Sequence, residues 1–426
     1  MAYVPTAAHP GTRVRRVVFV NRFFHPDESA TSRMLSDLVF RLAGQGLSVA
    51  VVTSRQLYEN PEADLAAHEF IRGVQVWRVA SARRGRGTLI GRTLDYLTFH
   101  LSAARVLAAV LQPGDVVVAK TDPPLISVLV SWVARWRGAD LINWLQDVFP
   151  EVLVALAPRA LPRAVRRVLV AARDRSLRRA AMNIAIGDRM AAHLLQHGVE
   201  PDHVRVIPNW ADCEAIRPMS SCHSATRARF GLEDRFVVGY SGNFGRAHEF
   251  HTLIAAARIL AHDPQIAFLM TGGGARNAQL QEAVESLSLC SFHFQGYQPA
   301  ELLSDSMAAA DLHLVSLVPA VEGLVVPSKL YGILAAGRPV LFIGDTQGEV
   351  ASLLRKHDCG LAVAVGDGAR LAKLLRTLQN DPERCAVMGV NARRLALSRF
   401  TADRAASDWF EMLALLSAAP RAAVSQ

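Results

Sequence analysis

Short runs of β-branched residues alternate with helix-period stretches along almost the whole chain, the pattern of parallel sheets covered by helices on both faces. The expected class is therefore α/β. Val17–Val20 is followed by a polar loop, Asn21–Ala30, a helical segment, Thr31–Ala43, and a second strand at Ser48–Thr53. Further strands are predicted at Val74–Val79, Val116–Ala119, Leu141–Trp144, Asn183–Ile186 and Val204–Ile207. The alternation then fails once. Ala211–Arg235 has no periodicity and collects Pro218, Ser220, Ser221, Cys222, His223 and Ser224, as a connector does. It resumes at Phe236–Tyr240, Ile266–Met270, Phe292–Phe294, Leu312–Val315, Val340–Ile343 and Leu361–Val365, and beyond Asp381 the chain reads as helical to about Ala419. The expected division is a first domain over 1–210, a linker over 211–235, a second domain over 236–395, and a C-terminal helix and tail over 396–426 that packs across both. Two doubly wound domains would face a cleft. In such sheets ligands sit at the carboxyl ends of the strands, beside helix N-termini.

With 426 residues the chain is long enough for two or three domains, and 51% hydrophobic with 20% charged residues excludes disorder. The net charge of +9 points to a polyanionic partner: nucleic acid, an anionic membrane surface or a phosphorylated substrate. No aromatic and basic stacking platform accompanies the charge, so nucleic acid is the poorer fit. Cys213, Cys222, Cys290, Cys359 and Cys385 are scattered, with no metal-ligand spacing, which suits a reducing cytoplasm. Met1–Pro10 lacks the pattern of a secretory signal. The run Pro123–Ala134 stops at Arg135, short of the roughly 18 residues that span a bilayer. Arg159–Arg179 reads as a basic amphipathic helix and, with Arg83, Arg84 and Arg86, could lie on the inner face of the cytoplasmic membrane; a solvated helix face is the alternative.

Several chemistries are disfavoured by their missing motifs. The first strand-to-helix loop has no glycine for a dinucleotide fingerprint, no GxxxxGK[ST] or HExxH occurs, and Gly239–Asn243 misses the last glycine of a nucleophile elbow. The loops of the second domain say more. Ser241–Arg246 follows a strand, and its two glycines permit a close backbone approach while Arg246 supplies a fork of donors for a diphosphate; an ordinary turn is the other reading. Thr271–Arg276 is a second glycine-rich loop, with Gly272 and Gly273. In Val321–Gly332, Pro327 places Ser328 and Lys329 in a first helical turn, where a cation opposes the helix dipole and an anion would relieve it.

At these residues the chain resembles the retaining nucleotide-sugar glycosyltransferases of family 4, with the GT-B fold, and among them the WbuB-like enzymes of bacterial cell-surface polysaccharide synthesis. The resemblance runs from Val17 to about Phe400, through Phe24–Thr31, Thr121–Leu125, Leu145–Glu151, Val206–Trp210, Ser241–Arg246 and Glu322–Pro339. It implies two Rossmann-like domains, the second holding the nucleotide-sugar donor and the first a polyprenyl-diphosphate-linked or glycan acceptor, without a metal or other cofactor. The transferred group would be of hexosyl or N-acetylhexosaminyl type. The donor residues implied are Gly242, Asn243, Arg246, Gly272, Gly273, Pro327, Ser328 and Lys329, with Arg246 and Lys329 neutralising the diphosphate from loops open to solvent. Glu322 would sit near the sugar. Asp147 and Glu151 would hold the acceptor hydroxyl, with helix-start capping as their other reading, and His25, Ser29 and Thr31 lie on the acceptor side; N-capping would account for Ser29 or Thr31 equally well. The family's second glutamate, usually eight positions after the first, is here Gly332, ten after Glu322. A nucleotide-sugar epimerase of similar build and a non-catalytic sugar-nucleotide or membrane-surface binding protein are the rival readings.

Overall fold

The computed structural model describes residues 15–83 and 89–418. It divides into two compact units, one made of the chain to Pro150, Arg159–Pro208 and the chain from Asp403, the other of Glu151–Pro158 and Asn209–Ala402. No helix among the described residues is long and apolar enough to cross a membrane.

The first unit is built on eight strands: β1 (Val17–Val20), β2 (Val49–Ser54), β3 (His68–Ile71), β4 (Val74–Val79), β5 (Val116–Lys120), β6 (Asp140–Trp144), β7 (Met182–Ala185) and β8 (Val204–Val206). Their order is β3-β4-β2-β1-β5-β6-β7-β8, parallel except for the β3–β4 pair. β1, β2 and β5 are buried along their whole length, as strands covered on both faces must be. The chain winds outward from β1 to β4, then returns to lay β5 on the other side of β1, so the direction of winding reverses between β1 and β5.

The second unit repeats the plan with β9 (Phe236–Asn243), β10 (Ile266–Gly273), β11 (Phe292–Gln295), β12 (Leu312–Ser316), β13 (Val340–Ile343) and β14 (Gly360–Val363), all parallel in the order β11-β10-β9-β12-β13-β14. Here the reversal falls between β9 and β12. Both units are thus doubly wound and Rossmann-like.

Two expected boundaries move. The segment 211–235 is built into the second unit instead of linking freely. Arg393 Nη1 donates to Ile216 O at 2.9 Å and Nη2 to Cys213 O at 2.9 Å, and the buried Arg227 pairs with Asp311 at 2.9 Å. Asp305 accepts from the backbone N–H groups of Ala225 and Thr226 at 2.7 and 3.0 Å, capping the helix Ala225–Arg229. Asp305→Ala should therefore cost about 1–2 kcal/mol in chemical denaturation.

The C-terminal region also divides differently. Helix Pro382–Arg399 belongs to the second unit, as does Phe400, whose ring meets Tyr331 at 5.0 Å. Helix Ala402–Ala418 enters the first unit, where the fully buried Trp409 packs at 5.9 Å from Phe19 and 5.0 Å from Trp144.

Candidate functional site

In the second unit the reversal between β9 and β12 places the loops after these strands side by side, and β10 adds a third from the far side of β9. The sequence gives β9 and β10 glycines where their ladders end. Gly242 pairs with Gly272 in register, with φ of +125° and +129°. A Cβ on Gly272 would strike the Gly242 carbonyl oxygen, so the two backbones approach as only glycine allows.

Lys329 opens helix Lys329–Ala335, but its ammonium does not lie in solvent as the sequence suggested. It folds back over the β9 loop, 3.7 Å from the centre of the Tyr240 ring, and donates to Tyr240 Oη, to Asn243 O at 3.3 Å and to His248 Nε2 at 3.3 Å. The Tyr240 hydroxyl in turn donates to Asn243 O at 3.0 Å. His248 Nδ1 lies 2.5 Å from Ser316 O and must carry the proton there, which leaves Nε2 as the acceptor. Burial, then the Lys329 charge, pushes the His248 pKa down to about 3, so it stays neutral. Burial also pushes Lys329 well below the usual lysine value, and among the described residues no carboxylate pairs with it. A cation desolvated among neutral partners is a site for an incoming anion.

Arg246 stands exposed at the rim of the same loop, as expected. Pro327 is buried and Ser328 exposed ahead of Lys329; Gly273 is half-buried beneath Tyr297, and Asn243 is exposed. Arg276, not singled out by its sequence, reaches His248 O at 2.8 Å from the β10 loop. Glu322 Oε1 accepts from the Glu349 N–H at 2.7 Å, which ties its carboxylate to the start of helix Glu349–His357.

In the first unit a polar cluster gathers at the matching reversal, between β1 and β5 and at the end of β6. Lys120, 1% exposed, donates to Thr31 O at 2.8 Å and lies 4.4 Å from the Trp144 ring centre. Burial, partly opposed by the Asp122 charge, pushes its pKa down to about 7. Asp147 is held the other way, up to about 6, by burial against a hydrogen bond from Thr121. Its Oδ1 is buried without a partner. Lys120, Thr121, Ser127, Asn143, Asp147 and Arg173 line a cavity of about 30 Å³, room for a water molecule.

The acceptor-side residues are not all brought together. Thr31 joins Lys120 through its carbonyl, with its hydroxyl 3.5 Å from Asn21 Oδ1. Ser29 is bound to Asp27 Oδ1 through both its N–H, at 2.9 Å, and its hydroxyl, and makes no side-chain cap for the helix it precedes. The His25 ring packs edge-on against Phe40 at 5.7 Å, and burial, then the Arg72 and Arg78 charges, lowers its pKa. Glu151, expected beside Asp147, belongs to the other unit, where helix Glu151–Leu156 packs on Pro319–Val321. The sequence missed Lys120, which its pattern placed just beyond a strand; it is the last residue of β5.

Residues 29–210 match the family model of the glycosyl transferase 4-like domain, and residues 224–395 that of the glycosyl transferases group 1. The chain is 24% identical over 352 residues, 80% of its length and 86% of the relative's, to a protein of Escherichia coli K12 named as the colanic acid biosynthesis glycosyl transferase WcaI. It is 27% identical, with 73% of each chain covered, to D-inositol 3-phosphate glycosyltransferase 1 of Catenulispora acidiphila. Among solved structures it is similar to sucrose-phosphate synthase of Thermosynechococcus elongatus (TM-score 0.72, 19% identity, 95% of this chain and 100% of that one). Anabaena HepE, solved with UDP and glucose, gives a TM-score of 0.69 at 19% identity, over 94% of this chain and 100% of that one. WaaG, a glycosyltransferase involved in lipopolysaccharide biosynthesis, gives 0.69 at 18%, over 95% and 100%. The fold is that of the GT-B glycosyltransferases.

Proposed function

We propose, from the match of residues 29–210 to a glycosyl transferase 4-like domain and of residues 224–395 to the glycosyl transferases group 1, that the chain moves a hexosyl or N-acetylhexosaminyl group from a nucleotide diphosphate-sugar to a polyprenyl-diphosphate-linked or glycan acceptor. The work would be the building of a cell-surface polysaccharide at the cytoplasmic face of the membrane. The observation that carries the reading is Lys329: a desolvated ammonium with no carboxylate partner among the described residues, beside the Gly242–Gly272 contact and on the same loop cluster as Arg246. A diphosphate would supply the missing anion. The names of similar proteins support the class of reaction: WcaI for polysaccharide, HepE for a UDP-bound state. They give no support to the epimerase or binding-protein readings.

Breaking the sugar–phosphate bond builds negative charge on the departing diphosphate, and Lys329 and Arg246 stabilise it as it grows, so the chemistry here calls for no metal. With retention, the acceptor hydroxyl attacks the anomeric carbon from the face the diphosphate leaves. Its oxygen–carbon bond forms as the carbon–phosphate oxygen bond breaks, and the departing phosphate oxygen takes the proton. Asp147, ionised above about pH 6, would accept a hydrogen bond from the acceptor hydroxyl and orient it.

Incubation with a panel of labelled nucleotide sugars and bacterial membranes tests the reading: label should enter the lipid or glycan fraction with the donor's anomeric configuration, read by NMR. Free epimer with no transfer would overturn it. Transfer should also fall about tenfold per pH unit below about 6, as the Asp147 carboxylate protonates, and Asp147→Asn should flatten that limb of the pH profile.

A further inference from the structure

Three helices of the first unit leave large apolar side chains uncovered. Helices Leu89–Val110 and Ile126–Arg137 lie on one side of the eight-stranded sheet, where Phe99, Ala103, Leu107, Ile126, Val130 and Ala134 share a single core. The second of them also packs on helix Arg163–Arg179. Away from that core, Leu94, Leu97 and Leu101 are 42%, 54% and 53% exposed, and Trp132 and Trp136 are 63% and 71% exposed. Their spacings, i, i+3, i+7 on one helix and i, i+4 on the next, gather each set into one stripe. Val165 and Val168 are also exposed, on the third helix.

The exposed charge on these helices has one sign. Their only acids, Asp95 and Asp174, are buried beside Arg22 and Arg173. Arg105, Arg135, Arg166, Arg167, Arg175 and Arg179 are exposed. Desolvation, then the Arg175 and Arg135 charges, lowers the Arg179 pKa. Arg84 and Arg86, which the sequence added to this basic surface, lie outside the described residues, and Arg83 is committed to Glu62 and Asp64.

We propose that this three-helix face docks on an anionic lipid bilayer, Trp132 and Trp136 entering the zone between headgroups and acyl chains while the arginines pair with lipid phosphates. Indole rings partition to that zone, and guanidinium forks match phosphate oxygens. A second copy of the chain is the wrong occupant, because two faces carrying only positive charge repel. Nucleic acid would satisfy the arginines but leave the leucines and valines in water. The proposal rests on the lipid-linked acceptor reading above, since docking would hold the enzyme where such an acceptor lies.

The test uses the full chain and vesicles of phosphatidylcholine with or without phosphatidylglycerol, with a second set carrying brominated acyl chains. The protein should bind the anionic vesicles, bind the neutral ones at least about tenfold more weakly, and release as salt screens the charges. Brominated chains should quench its tryptophan fluorescence. The variant Trp132→Ser/Trp136→Ser should lose that quenching and bind at least about tenfold more weakly with an unchanged melting temperature, because both side chains are exposed. Binding that is absent or unquenched for the native chain at low salt overturns the proposal, as does a dimer in sedimentation that the double variant dissolves. Transfer to a lipid-linked acceptor from bacterial membranes, dispersed in detergent so that no bilayer is needed, separates the two readings: failed docking with intact transfer refutes the docking face alone, and docking without transfer refutes the acceptor reading alone.

Discussion

Arg246→Ala and Lys329→Ala should each lower sugar transfer by about 100- to 1000-fold, the usual cost of removing one preorganised partner of a developing anion. Stability should hardly follow. Arg246 is exposed, so its loss falls within about 0.5 kcal/mol. Among the described residues the partners of the Lys329 ammonium are the neutral Tyr240, Asn243 and His248, so removing it relieves a desolvation penalty as it forfeits their hydrogen bonds. The decisive measurement is the rise in melting temperature on adding a nucleoside diphosphate, which should shrink sharply in both variants. Near-normal turnover with an undiminished rise would remove both residues from the donor site. Glu322→Ala is a different case: losing the acceptor for the Glu349 N–H should cost about 1 kcal/mol, and Glu322→Gln, which keeps an acceptor, should recover most of it.

Lys120→Met should stabilise the folded chain in acid and not in alkali. Burial pushes the native lysine down to about 7 in the fold, against 10.5 for a lysine in water, so between these values the unfolded chain binds more protons and native stability rises with pH. Below pH 7 the full penalty, about 5 kcal/mol, is in force. Methionine removes it but also gives up the bond to Thr31 O and the contact with Trp144, worth about 1–2 kcal/mol together. The net should be a gain of about 3 kcal/mol near pH 6 that turns into a small loss near pH 10, read from denaturation at the two pH values. An equal effect at both would mean that the amine is not titrating inside the fold.

The strands were legible because burial on both faces demands β-branched runs, and β1, β4 and β13 begin and end where the pattern put them. β3 was not, since His68–Ile71 alternates exposed and half-buried residues on an antiparallel edge and leaves no apolar run. β9 and β10 run on into Ser241–Asn243 and Thr271–Gly273, where glycine composition reads as a turn although the ladder continues. For the donor site the sequence could supply residue types but not depth. Lys329 looks solvent-facing beside Pro327 and Ser328, and the groups that bury it, Tyr240 and His248, are 89 and 81 positions away. Lys120 escaped for a related reason: a lysine normally closes a strand, and only the reversal beside β1, with Thr31 across it, makes the last position of β5 an interior one.

The return of the chain to its first unit at Asp403 has a consequence for synthesis on the ribosome. Domains usually fold as they emerge, N-terminal first. Here Phe19 and Trp144 are made early, but the Trp409 that covers them comes near the end, after the whole second unit. Until then the nascent first unit presents an uncovered aromatic surface, a target for chaperones. A fragment ending at Pro208 should therefore aggregate where the full chain does not. A chimaera that exchanges first units between relatives should fold only if the terminal helix travels with its own sheet.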